Sequence, residues 1–64
     1  MGVNGKYLAE LREDRGMSQR EAAEKIGLSH SFICLLESGK RTPSLGVLSK
    51  IAKFYKAKIQ DLLQ

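Results

Sequence analysis

Apolar residues recur at helical spacing along most of this chain, with polar residues between them. Ala22, Ala23 and Ile26 stand at positions i, i+1 and i+4, and Ile33 and Leu36 stand three apart, so each set lines one face of a short helix. The longest such stripe consists of Leu45, Leu48, Ile51, Ala52 and Tyr55. The pattern predicts an all-α fold with helices over residues 5–15, 19–26, 30–37, 45–55 and 59–63.

Residues that favour helix ends stand at the predicted boundaries. Ser18 precedes the second helix and Glu21 follows three residues later, which is the pattern of a capping box. Gly27 follows the second helix, where the chain often turns left-handed at little cost for glycine. Ser29 and Ser44 stand at the predicted N-caps of the third and fourth helices. Residues 19–38 are therefore predicted to form two short helices joined by a tight turn.

Such a pair of helices is typical of a DNA-binding helix-turn-helix, whose second helix lies in the major groove and reads base edges with its N-terminal residues. Small polar side chains stand at the start of the third predicted helix, as this role requires. Caps and a glycine also occur in an ordinary helical hairpin of a small bundle. The pattern alone therefore leaves both interpretations open.

Length and composition restrict the class of protein. With 64 residues, the chain is expected to form a single domain, residues 1–64, that buries about 60% of its unfolded surface. It has no run of about 18 apolar residues, as a membrane span requires, and no apolar core of a signal peptide near its start. The single cysteine, Cys34, excludes an internal disulfide, and one histidine leaves no credible set of metal ligands. These features predict a cytoplasmic protein without a metal or cofactor.

Positive charge is concentrated in the second half of the chain. The net charge is +4, but residues 1–37 carry five basic and six acidic side chains, whereas residues 38–60 carry six basic side chains and no acidic one. A basic half on a small domain favours a polyanionic partner such as nucleic acid. A solvated basic face would have the same composition, so charge alone does not decide between the two.

Taken together, these segments resemble the Cro/lambda-repressor-type helix-turn-helix domains, the XRE-like family. The matching residues are Leu8, Leu11-Arg12, Arg15-Gly16-Met17-Ser18-Gln19, Ala23, Ile26-Gly27-Leu28-Ser29, Ile33, Leu36-Glu37-Ser38-Gly39-Lys40-Arg41-Thr42-Pro43-Ser44, Leu48, Ile51-Ala52 and Leu62-Leu63. The chain contains the combination LR, RGMSQ, IGLS and LESGKRTPSL, which is far more specific than a helix-turn-helix pattern alone. The resemblance implies a compact five-helix, lambda-repressor-like fold with the helix-turn-helix motif at residues 19–38.

The resemblance also implies which side chains contact DNA. They belong to the start of the second helix, the outer face of the third helix and the loop after it: Gln19, Ser29, His30, Ser31, Phe32, Leu35, Lys40 and Arg41. Gln19 is expected to contact a phosphate and to brace the third helix. Residues 29–31 are expected to contact base edges and flanking phosphates, and residues 40–41 to contact phosphates. For His30, a solvent-exposed helix residue without such a role is the alternative.

Two residues of this set are apolar. Leu35 stands one turn after Ser31, where relatives often use a polar side chain, and it can pack on a thymine methyl group but cannot form a hydrogen bond. We therefore expect an A·T-containing half-site, with Phe32 against the sugar-phosphate wall. The rival interpretation is that Phe32 and Leu35 bind a protein partner. Cys34, between them, is expected to fill space as a small apolar side chain.

Arg12 and Glu37 are expected to form a structural ion pair. In the family that the chain resembles, an arginine near the end of the first helix bridges to the glutamate that ends the third. A guanidinium can hold a carboxylate with two hydrogen bonds and so fix the angle of the third helix. Loss of either partner is therefore expected to reduce stability more than it alters sequence preference.

The C-terminal part departs from the family pattern. Lys56 replaces the glycine that commonly ends the fourth helix, so the turn is expected to be either mildly strained or differently shaped. Lys58 replaces a hydroxyl N-cap, which weakens the fifth helix. Phe54 stands where relatives often have alanine and is expected to form a dimer patch with Ile59 and Leu62. The alternative is that Phe54 folds back over the core.

The sequence therefore predicts a transcriptional regulator, by default a repressor, that binds double-stranded DNA without chemistry. We expect a homodimer on a palindromic operator with half-sites about 10 bp apart. No Ser/His/Asp, Cys/His or paired-carboxylate set points to an enzyme. Two alternatives of the same fold stay open: an antitoxin or restriction-control regulator, and a protein-interaction module with weak DNA readout.

Overall fold

The computed structural model describes residues 2–64, which form five helices. The helices are α1 (Gly5–Asp14), α2 (Gln19–Ile26), α3 (His30–Glu37), α4 (Leu45–Tyr55) and α5 (Ile59–Leu62). The all-α class and the predicted bounds of α2, α3 and α4 are confirmed, whereas α1 and α5 each end one residue earlier than predicted. One isolated antiparallel bridge, between Val3 and Leu63, joins the two ends of the described chain.

Serine caps determine where three of the helices begin. The Ser18 hydroxyl accepts from the Glu21 N–H at 3.1 Å, and the Glu21 carboxylate accepts from the Ser18 N–H at 3.1 Å, so the capping box is complete. Ser29 and Ser44 each accept from the backbone N–H three residues later, at 3.0 and 3.2 Å. Gly27 ends α2 with a φ of 89°, which is in the left-handed region that favours glycine. The predicted caps are therefore confirmed.

A single buried core holds the helices together. It consists of the apolar side chains Val3, Leu8, Ala22, Ala23, Ile26, Ile33, Leu36, Leu48, Ile51, Ala52, Tyr55 and Leu62. The most extensive contact is between α2 and α3, and α1 also packs against α3. Ala22 and Ala23 are fully covered at this crossing, and their small side chains let the two helices of the motif approach closely. The core thus fixes α3 against both α1 and α2.

The predicted stripe of α4 is correct except at its first residue. Leu48, Ile51, Ala52 and Tyr55 are buried, but Leu45 is 75% exposed. The helical register places Leu45 on the same face as the others, yet the core does not extend to the first turn of α4. The predicted helical register of the stripe is therefore correct, but only its last four residues belong to the core.

The start of α1 depends on a close approach of two backbones. The Asn4 side chain caps the helix by accepting from the Tyr7 N–H at 3.1 Å. Gly5 is buried against the carbonyl groups at the end of α3, and a Cβ atom at Gly5 would lie 2.5 Å from the Leu36 oxygen. Only a residue without a side chain fits at this contact, which places the start of α1 beside the end of α3.

Two forms were expected for the turn after α4, and the structure has the strained one. Lys56 ends the helix with a φ of 56° and a ψ of 40°, a left-handed conformation that disfavours side chains with a Cβ atom. Arg15 supports this turn, because its guanidinium donates to the Tyr55 carbonyl at 2.7 Å and lies 5.4 Å from the centre of the Tyr55 ring. Lys58 provides no side-chain cap for α5, as predicted.

Candidate nucleic-acid interface

The first turn of α3 is open to solvent. Ser29, His30 and Ser31 are all exposed, and none of them is needed to fill the core. The Ser29 oxygen accepts from the N–H of Phe32, which leaves its hydroxyl hydrogen free to donate to another group. The structure therefore brings together three of the predicted polar contact residues at the N-terminus of one helix.

The outer face of α3 continues with two partly covered apolar side chains. Phe32 and Leu35 are each half-buried, so part of each remains accessible beside the polar first turn. Cys34 is exposed, and the expectation that it fills space in the interior is wrong. The reason is its position, because Cys34 lies on the solvent side of α3 while Ile33 and Leu36 face the core.

The loop after α3 turns back towards that outer face. The hydroxyl of Ser38 and the N–H of Lys40 both donate to the Leu35 carbonyl, at 3.0 and 2.9 Å, and close the end of the helix. The turn places the Arg41 guanidinium 5.7 Å from the centre of the Phe32 ring. Lys40 and Arg41 are exposed, so two cations stand beside the accessible face of α3.

A network of charged and polar side chains fixes the C-terminal end of α3. The Glu37 carboxylate accepts from Arg12 Nε at 2.8 Å and from Arg12 Nη2 at 3.1 Å, which is the predicted two-bond geometry. It also accepts from the Gln19 side-chain amide at 3.0 Å. Arg12 Nη1 donates to the Met17 carbonyl at 2.8 Å, so the guanidinium also holds the turn between α1 and α2. Through Arg12, Glu37 and Gln19, the network therefore connects all three helices.

The network has little access to water. The side chains of Arg12 and Glu37 are 13% and 8% exposed. The hydrogen bonds to the Glu37 carboxylate raise the pKa of Arg12 above its ordinary value, because they stabilise the charged guanidinium. Gln19 uses its amide nitrogen on Glu37, and the second N–H of that nitrogen remains available for a phosphate oxygen.

Two contacts of this site lie beyond the reach of local sequence patterns. The link between Gln19 and Glu37 joins residues 18 positions apart, and the contact between Arg41 and Phe32 depends on how the loop turns after α3. Both pairs belong to segments that carry the resemblance described above. No periodicity or cap pattern indicates that either pair is in contact.

The predicted dimer patch is only partly accessible. Phe54 is half-buried, with its ring 5.0 Å from the Tyr55 ring in an edge-to-face arrangement, and Ile59 is also half-buried. Leu62 is fully buried, so its inclusion in the patch is wrong. The physical reason is the size of the core, which needs the apolar face of the short α5 to close it. Phe54 thus folds largely over the core, as the alternative prediction had it.

Among residues 2–64, no group of three or more His, Cys, Asp or Glu side chains could hold a metal ion. None of the described helices has both the length and the apolar character that crossing a bilayer requires.

Comparison with known proteins identifies the family. A model of the helix-turn-helix family HTH_3 matches residues 8–62. The chain belongs to this helix-turn-helix family. The match includes α2, α3 and the network that holds them, so the expected resemblance is confirmed.

Relatives of this HTH_3 chain are transcriptional regulators. It is 47% identical over 51 residues to the HTH-type transcriptional regulator PuuR of Escherichia coli (strain K12), a match that covers 80% of this chain and 28% of PuuR. The chain thus spans less than a third of the length of that relative. Transcriptional regulators are not a class of enzymes.

Solved structures have the same five-helix, lambda-repressor-like architecture. The restriction-modification controller protein C.AhdI from Aeromonas hydrophila superposes with a TM-score of 0.81 at 34% identity, covering 92% of this chain and 89% of C.AhdI. SinR, a master regulator for biofilm formation whose structure is in complex with DNA, superposes with a TM-score of 0.80 at 27% identity, covering 91% of this chain and 94% of SinR.

Proposed function

We propose that this chain is a sequence-specific DNA-binding transcriptional regulator that places α3 in the major groove. The observation that carries the proposal is the exposed first turn of α3. The angle of this helix is fixed at its other end by the bonds of Glu37 to Arg12 and Gln19. A recognition helix has to present its first residues to base edges while the rest of the domain keeps it rigid. Membership of the HTH_3 family and the likeness to SinR, whose structure contains DNA, support this role.

His30, Ser31 and Leu35 would read the bases. The His30 ring can donate a hydrogen bond to guanine N7 or O6, and the Ser31 hydroxyl can both donate and accept. Leu35 would pack on a thymine methyl group, since its exposed part can exclude water but cannot form a hydrogen bond. We therefore expect at least one A·T pair in each half-site, at the position that Leu35 reaches.

Lys40, Arg41 and Gln19 would bind the backbone on either side of α3, with Ser29 and Phe32 beside them. Each phosphate neutralised by a Lys or Arg adds about 0.9 to the slope of binding against salt concentration. Replacing Lys40 with alanine should lower that slope by about one for each protomer bound, without changing the preferred sequence. The matched control is Lys58→Ala, because Lys58 is an exposed lysine at the start of α5, outside α2, α3 and the loop that carries Lys40.

Two copies would act together on a palindromic operator in the cytoplasm. One α3 helix spans only a few base pairs, and a two-fold pair on half-sites about 10 bp apart doubles the contact on one face of the duplex. A dimer bound across a promoter would block polymerase, so we propose repression as the mode of action. The described residues would serve as one DNA-binding domain.

Selection of bound sequences from a random duplex pool at near-physiological salt tests this proposal. An enriched palindrome with half-sites one helical turn apart is the expected result. The enriched bases should change for a His30→Ala variant and stay the same for Lys40→Ala. Uniform, salt-sensitive recovery would contradict base readout. No recovery would contradict DNA binding and favour a protein-interaction module that uses Phe32 and Leu35.

A restriction-control regulator is the second candidate. It is favoured by the likeness to C.AhdI, which has nearly the same extent as this chain and shares 34% of its residues. An antitoxin of the same fold would also bind DNA but would form a stable complex with a second protein. The operator obtained by selection separates these roles, because its location in the genome shows whether a methyltransferase, a nuclease or a toxin gene lies beside it.

A further inference from the structure

An open groove of about 220 Å³ lies between the end of α2 and the second half of α4. The residues that line it are Lys25, Ile26, Lys50, Lys53 and Phe54. The three lysines are exposed, whereas Ile26 is buried and Phe54 is half-buried. The groove therefore combines a partly exposed aromatic ring with three positive charges, and we refer to it as the lysine groove.

No acidic side chain neutralises the lysine groove. The ion pairs of residues 2–64 all involve Arg12, so none of the three lysines has a carboxylate within 4 Å. Lys50 has one local role, because its Nζ atom lies over Gly27, 3.1 Å from where a Cβ atom would be, and offsets the negative end of the α2 dipole. Lys25 and Lys53 stand in the last turns of α2 and α4, where they also offset the helix dipoles, but neither has a carboxylate partner.

The lysine groove is separate from the surface that would face DNA. Gln19 is at the start of α2, whereas Lys25 is six residues later, which is about 9 Å along a helix. Lys50 lies in the middle of α4 and Lys53 in its last turn, whereas Lys40 and Arg41 belong to the loop before α4. The loop with Lys40 and Arg41 contributes nothing to the lining of the groove.

We propose that the lysine groove is the docking surface for an acidic peptide segment of another protein that carries an apolar side chain. A phosphate backbone would use the lysines but would gain nothing from the Phe54 ring. An apolar contact inside a polar rim is the usual composition of a protein interface. The acidic residues would pair with Lys25 and Lys53 while one apolar side chain packs on the exposed part of Phe54. Charge complementarity would speed the encounter and select the partner.

Titration of the ¹⁵N-labelled protein with a synthetic peptide tests this proposal. The probe is the blocked peptide Glu-Asp-Glu-Leu-Phe-Glu-Asp-Glu, and a second peptide has Ser-Ser in place of Leu-Phe. We expect amide shifts confined to residues 25–27 and 50–54, and about tenfold weaker binding of the Ser-Ser peptide. Binding should become about tenfold weaker in Lys25→Glu and in Lys53→Glu. It should be unchanged in Lys6→Glu, which makes the same charge change on α1.

Several results would overturn the proposal. Shifts at residues 29–31 and 40–41, together with displacement by duplex DNA, would mean that the peptide only imitates DNA. Equal weakening by Lys6→Glu, or equal affinity of the two peptides, would mean diffuse charge attraction without a docking site. Failure of the peptide to bind would exclude the groove as a site for acidic segments. The substituted lysines are exposed, and a far-ultraviolet circular dichroism spectrum of each variant verifies that it is folded.

Discussion

Replacement of Arg12 by methionine should strongly destabilise the protein. The substitution keeps the aliphatic stem but removes two hydrogen bonds to Glu37 and one to the Met17 carbonyl. The Glu37 side chain, 8% exposed, would then keep its charge with only the Gln19 amide to stabilise it. Removal of one partner from a buried ion pair costs about 3–5 kcal/mol, and the slight exposure here favours about 3 kcal/mol. A chain of 64 residues has a free energy of unfolding of only about 3–10 kcal/mol.

Urea unfolding followed by circular dichroism measures this loss. Lys6→Met is the matched control, because it removes an exposed positive charge from α1 and should change the free energy of unfolding by less than about 0.5 kcal/mol. The double variant Arg12→Met with Glu37→Leu should recover part of the loss, since no buried charge is left without a partner. If Arg12→Met lost less than about 1 kcal/mol, the pair would behave as an exposed salt bridge and the reasoning would be refuted.

The remaining predictions concern the turn after α4, the start of α1, one tyrosine and the basic loop. Lys56→Gly should raise the free energy of unfolding by about 1 kcal/mol in urea titrations, because glycine adopts the left-handed φ without strain; a loss would contradict strain at this turn. Gly5→Ala should lower the thermal midpoint by at least several degrees, because its methyl group would meet a backbone carbonyl of α3 at 2.5 Å; an unchanged midpoint would mean that α1 and α3 separate easily. Burial, with a smaller effect of the nearby Glu37 carboxylate, raises the pKa of Tyr55 above its ordinary value of 10.0. Above pH 10.0 the tyrosine therefore loses its proton more readily in the unfolded chain, and the free energy of unfolding falls as the pH rises. Tyr55→Phe should remove this part of the alkaline decline, and parallel pH profiles of the two proteins would contradict it. In a variant that already carries Arg41→Ala, Phe32→Leu should not weaken DNA binding further, because Phe32 positions the Arg41 guanidinium, which lies 5.7 Å from the centre of its ring. If the losses of affinity measured by fluorescence anisotropy add up, the two residues act independently.

Local signals account for the part of the fold that could be predicted. Ser18, Ser29 and Ser44 each bond to a backbone N–H three residues away, so the information that starts α2, α3 and α4 lies within four residues of sequence. The apolar spacing of α2 and α3 likewise places Ile26 and Ile33 in the core. Both kinds of signal depend on neighbours along the chain and can be recognised without knowledge of the tertiary structure.

The errors come from contacts between distant segments. Helical register gives the face of Leu45 but not how far the core extends along α4, and Leu45 lies beyond it. An apolar residue such as Leu62 satisfies the pattern of a core residue and that of an interface residue equally well. The close approach at Gly5 depends on where α3 ends, 32 positions or so later, and no glycine pattern indicates it. For the candidate site, the family resemblance provided the pair Arg12–Glu37 and a bracing role for Gln19, and only the structure shows that Gln19 bonds to Glu37.

The bridge between the two ends of the described chain has a consequence for how the protein can be extended or rewired. Asn4 donates to the Leu62 carbonyl at 2.7 Å and Gln64 donates to the Gly2 carbonyl at 2.9 Å, so the first and last segments run side by side in opposite directions. Any polypeptide continued from either end would leave the domain at one shared point. A few glycines would be enough to join Gln64 to Gly2 and close the backbone into a ring. Ring closure would remove conformational freedom from the unfolded chain and leave α2 and α3 as they are. For a loop of this length, it would raise the free energy of unfolding by on the order of 4 kcal/mol.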